Sequence, residues 1–86
     1  MENHTEHSWK EDQLIAQLHN SVDNAFDAVG QAHTNPTEEK RQDAREKIQH
    51  AERSFKNAVE ARGEIEPIIR LKEQLFKSKE SYQKLH

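Results

Sequence analysis

The sequence predicts an all-α protein, a small antiparallel three-helix bundle running up-down-up. Three observations predict it. Apolar residues make up 31% of the 86-residue chain and charged residues 34%, against the roughly 45–50% apolar content of average globular domains. Such a chain builds only a thin core, which suits helices that carry one apolar stripe each. Two glycines and two prolines leave too few turns for a sheet sandwich. Apolar residues also recur at alternating three- and four-residue spacing in three separate segments, which is the helical period. The alternative is a long kinked helical hairpin that dimerises, with the second and third segments fused into one bent helix. The length allows one domain at most. The expected layout is a disordered tail over residues 1–7 and a single helical domain over 8–86, with helices at about 8–33, 36–62 and 67–85.

The first helix is expected to start at Ser8. In "SWKE" the Ser8 hydroxyl can accept from the Glu11 backbone N–H while the Glu11 side chain reaches back, a capping box. Ile15, Leu18, Val22, Ala25, Val29 and Ala32 then form one stripe, which Leu14 and Phe26 are expected to broaden. "HTNPTEE" ends this helix. Asn35 is a good N-cap for the next one, Pro36 suits the first helical position, and Glu38 completes a second capping box. So short a loop makes the first two helices antiparallel neighbours. The second helix has the stripe Ala44, Ile48, Ala51, Phe55, Ala58, with Val59 beside it. Folding the hairpin sets Ala25 near Ala44, Val22 near Ile48 and Leu18 near Ala51.

The stretch "ARGEIEPIIR" over residues 61–70 decides between bundle and kinked hairpin. Gly63 can take the left-handed conformation that ends a helix. Pro67 suits the first position of a new one and pushes Glu66 out of the helical region. Opposing a turn, no Ser, Thr, Asn or Asp stands at the N-cap position. If the helix continued, the Pro67 ring would press on the Gly63 carbonyl at a cost of about 3 kcal/mol. The apolar phase favours the turn. The third stripe is Ile68, Leu71, Leu75, Tyr82 and Leu85, out of step with the second. Folding back pairs Phe55 with Leu75, Ala58 with Leu71 and Ile48 with Tyr82. Glu66–Arg70, Glu73–Lys77 and Glu80–Lys84 in the third helix, like Asp43–Lys47 and Glu52–Lys56 in the second, are spaced to support their helices at about 0.2–0.5 kcal/mol each.

Composition narrows the function classes. Net charge is −3 overall, split between −6 over residues 1–46 (four Lys/Arg, ten Asp/Glu) and +3 over residues 47–86 (nine against six). Opposite signs on neighbouring segments favour their packing and also favour association between chains. There are no cysteines, so disulfides, thiolate metal sites and a cysteine nucleophile are excluded. The amino-terminal "MENHTEHSWK" is too polar for a secretory signal, and no apolar run is long enough for membrane insertion. A cytoplasmic protein is the resulting expectation. Glycine-rich phosphate loops, HExxH and a nucleophile with an evident base are all lacking, so the chain is not expected to be an enzyme and no cofactor is implied.

What remains is a non-catalytic protein–protein interaction module, a regulator or adaptor binding another protein or itself. Two features could carry contacts. Trp9, the only tryptophan, lies off the first stripe; it either folds over the Gly63–Ile69 corner or anchors a partner. The third helix has a wide apolar surface split by Lys72 and Lys79. Ile68, Leu71, Leu75 and Tyr82 lie on one side, and Ile65, Ile69 and Phe76 on the other. A helix touching two neighbours needs a broad stripe edged by snorkelling lysines; alternatively Ile65, Ile69 and Phe76 face a partner helix. A nucleic-acid or anionic-surface role through Arg70, Lys72, Lys77, Lys79 and Lys84 is not favoured, because three glutamates dilute the charge. Six histidines suggest metal binding as a further alternative. However, His4 and His7 lack a third ligand, His19 and His50 should not face each other, and His33 falls in a loop. No metal site is expected.

Overall fold

The computed structural model describes residues 12–85. Its helices are α1 (Gln13–Thr34), α2 (Glu38–Arg62) and α3 (Glu66–Gln83). Each packs on the other two, and there is no strand among the described residues. This is the three-helix bundle; the continuous kinked hairpin does not form, because the chain turns at residues 63–65. Gly63 sits at φ 78°, ψ −174°. That is not the left-handed helical conformation expected of it. It is the extended positive-φ region that only glycine enters freely. The Gly63 N–H closes α2 by donating to the Val59 carbonyl at 2.8 Å.

The caps differ from expectation in three places. The Ser8–Glu11 capping box lies outside the described residues, and the N-cap of α1 is Asp12. Its Oδ1 accepts from the backbone N–H of Leu14 at 3.1 Å and of Ile15 at 3.4 Å. At the first loop Asn35 serves α1 rather than α2, donating its N–H to the Gln31 carbonyl at 2.8 Å. Thr37 therefore caps α2, its hydroxyl accepting from Lys40 N–H at 3.1 Å. Glu38 and Glu39 fill the first turn, where the helix dipole favours acids. At the second corner α3 starts at Glu66, inside the helix rather than pushed out of it, and the N-cap is Ile65 with no side-chain hydrogen bond. Pro67 is tolerated there because the N–H it lacks belongs to the unsatisfied first turn.

The core follows the three stripes. Leu18, Val22 and Ala25 of α1, Ala44, Ala51 and Ala58 of α2, and Ile68 of α3 are wholly buried, with Ile48, Leu71 and Leu75 nearly so. Phe55, Val59, Tyr82 and Leu85 pack against the edge, partly buried. One expectation fails: Phe26 does not broaden the α1 stripe but is 63% exposed, while Ser21 and Ala28 are buried instead. The helix α1 packs most extensively on α2, so its stripe widens on that side, where small residues let the backbones approach. Ser21 meets Ser54 there, their hydroxyls 3.1 Å apart. Ser54 lies further from the loop than the simple fold-back places a partner for Ser21. Side chains lean towards the N-terminus of their own helix, so in an antiparallel pair the contacting α2 residue is displaced away from the turn.

Candidate functional site

The least extensive helix contact in the bundle is between α2 and α3, and the exposed apolar side chains lie beside it. Ile69 is 41% exposed and Phe76 59%. With Phe55 of α2 and Leu75 they line an open groove of about 830 Å³, edged by Lys72, Glu73 and Glu80. Physical necessity explains the first half of this arrangement. The buried edge of α3 is Ile68, Leu71, Leu75 and Ser78, and Ile69 and Phe76 each follow one of its residues directly. One position along a helix is a rotation of about 100°, which carries them out of the core and onto the α2 side. Both side chains remain exposed there.

The candidate residues separate in the structure. Ile69, Phe76 and Lys72 share the groove. Lys79 also lines it but is engaged: its Nζ lies 2.6 Å from Glu52 Oε2, an ion pair that ties α3 to α2. Ile65 is 38% exposed, at the corner as the N-cap of α3, outside the groove lining. Trp9 lies outside the described residues. Two groove components escaped the sequence reading. Phe55 belongs to the α2 stripe but forms part of the groove floor, and Glu52 bonds to Lys79 and not to Lys56. Of the expected pairs four residues apart, Asp43–Lys47 (2.9 Å) and Glu66–Arg70 (3.1 Å) form, whereas Glu73–Lys77 and Glu80–Lys84 are not in contact among the described residues. Phe26, the most exposed large apolar side chain among the described residues, stands on α1 and does not line this groove; no spacing signal set it apart from its stripe.

At the end of the bundle beside the Gly63 corner, an ion pair joins the start of α1 to the end of α2. Arg62 grips the carboxylate of Asp12 with Nε 2.6 Å from Oδ2 and Nη2 3.2 Å from Oδ1, the bidentate geometry that arginine favours. The Asp12 carboxyl is held below its ordinary value near 3.8, chiefly by the Arg62 hydrogen bond, with help from the Ile15 N–H and the Arg62 charge and against partial desolvation. The Arg62 guanidinium is shifted up by the same partner. The histidines are dispersed. His33 stands in the last turn of α1, not in a loop, with Nε2 2.9 Å from both the hydroxyl and the carbonyl oxygen of Ser81. His19 lies 3.5 Å from Asp23. His4, His7 and His86 lie outside the described residues. Among the described residues no three His, Asp or Glu side chains converge as a metal site would need, and no helix is long and apolar enough to cross a membrane.

Fold and groove together define the class: a small all-α three-helix bundle with an open, apolar-lined groove between α2 and α3. Comparison with protein-family models, with curated proteins and with solved structures finds no match to this chain.

Proposed function

We propose that this chain is a non-catalytic protein–protein interaction module, a regulator or adaptor acting in the cytoplasm, whose binding surface is the α3 face beside the α2–α3 groove. The observation that carries this is the exposure of Ile69 and Phe76 next to Phe55. Apolar surface left in water forfeits about 25 cal/mol per Å² of possible burial, and an apolar strip with a charged rim is the form that helix-in-groove recognition takes. A binder of anionic surfaces is less well supported. Lys72 and Lys77 on this face alternate with Glu73 and Glu80, and Lys79 is already neutralised by Glu52.

The test is Ile69→Glu and Phe76→Glu, followed by circular dichroism and thermal unfolding. A surface role predicts retained helicity and stability changed by no more than about 0.5 kcal/mol. Collapse of the helical signal would show that these side chains hold the fold, and the interaction face would be withdrawn.

A further inference from the structure

The groove face of α3 carries three rows, each repeating every seven residues. The middle row is Ile69 and Phe76, continued by Gln83 at the last turn. Residues three and four places further along a helix flank a given position on opposite sides. Lys72 and Lys79 therefore run along one flank of the apolar row, and Glu73 and Glu80, with Glu66 before them, run along the other, nearer the row than Lys77 and the Glu66-paired Arg70, which stand about 100° round from Phe76 and Ile69.

We propose that this face is a homodimer seam, occupied by a second copy of the chain with its α3 parallel to the first about a two-fold axis along the helices. This deepens the interaction-module reading and rests on it. Charge selects both the occupant and its direction. In a parallel two-fold pair, each flank of one helix faces the opposite flank of the other. The Lys72 row of each copy then meets the glutamate row of its partner on both sides of the apolar strip. In an antiparallel pair each flank faces its own kind, glutamates against glutamates and lysines against lysines. A partner helix of one charge sign would satisfy one flank and be repelled by the other, whereas a second copy supplies both signs in register. Ile69 and Phe76 stack on their own counterparts along the centre of the seam. With Lys79 held by Glu52, Lys72 is the main cross-seam cation. The helix has 18 residues, about 27 Å in length, so the seam is short and the dimer dissociates at low concentration.

Sedimentation equilibrium on the full chain, from about 10 µM to about 1 mM, tests this. The wild type is expected to approach twice the chain mass as concentration rises. Lys72→Glu alone and Glu73→Lys alone each place like charges across the seam and are expected to weaken association about tenfold or more. An equimolar mixture of these two variants should recover the dimer. Gln83→Cys, in a chain otherwise free of cysteine, should oxidise to a linked dimer, because only the parallel arrangement brings the two carboxy-terminal ends together. A single-chain mass throughout the range, or association unaffected by Lys72→Glu, would overturn the proposal. A photo-cross-linking residue at position 76 separates the two levels of inference. An adduct of twice the chain mass supports the seam. Adducts only with other proteins refute the second copy but leave the interaction module standing. No protein adduct refutes both.

Discussion

The hairpin α1–α2 and the seam α2–α3 are built from the same helix α2, yet they are stabilised differently. Alanines on α2 and small residues on α1 let the hairpin helices pack closely. Side chains cap both of its helices, at Asp12 and Thr37, and Arg62 binds Asp12 across its open end. The seam has an uncapped corner at Ile65, a single cross-helix ion pair at Lys79 and Glu52, and apolar side chains left outside. Stability and available surface are therefore divided within one small bundle. The hairpin takes most of the packing, and α3 is attached by its inner edge with its α2 side left open.

The two regions should differ most at the two ends of the burial scale. Leu18→Ala, at a wholly buried position, should cost about 2–5 kcal/mol, whereas Phe76→Ala should leave denaturant unfolding nearly unchanged. Comparable losses would mean that the seam is as much a core as the hairpin. An intermediate effect is expected at the corner. A Cβ added to Gly63 would meet no atom within 4 Å, so any cost of Gly63→Ala comes from its positive φ alone, on the order of 1–3 kcal/mol. If the variant is as stable as the wild type, the corner has relaxed, and a more elongated scattering profile would reveal α2 and α3 joining end to end.

The smallest effect concerns the Asp12–Arg62 lock. Asp12→Asn keeps a capping side chain and removes the charge. The folded-state pKa of Asp12 lies below its unfolded value near 3.8. Its contribution is therefore fully present above that value and is lost as pH falls through the lower, folded pKa. The variant should melt slightly below the wild type at pH 6, and the two should converge in acid below about pH 4. A constant gap at every pH would mean that the lock works through packing and not through charge.

Much of this could be read in advance. Alternating three- and four-residue spacing identifies Ile15 to Ala32, Ala44 to Ala58 and Ile68 to Leu75 as stripes, because burial on a helix is periodic. The phase slip at "ARGEIEPIIR" locates the corner, because one straight helix could not bury both stripes against one neighbour. The same geometry pointed to Ile69 and Phe76 as displaced from the α3 stripe. The caps were less legible. Thr34, Asn35 and Thr37 stand within four residues and each can cap, so the choice fell to whichever backbone group α1 needed to close.

By its local pattern alone, the chain determined three helices, their order and the residues each turns inward, since these depend on spacing along a single segment. Only the tertiary structure decided that Phe26 faces water while Ser21 and Ala28 are buried, that Glu52 bonds to Lys79, and that Phe55 forms part of the groove. Each of these depends on which neighbour lies opposite and how closely it approaches, and separation along one helix carries no record of the distance to another.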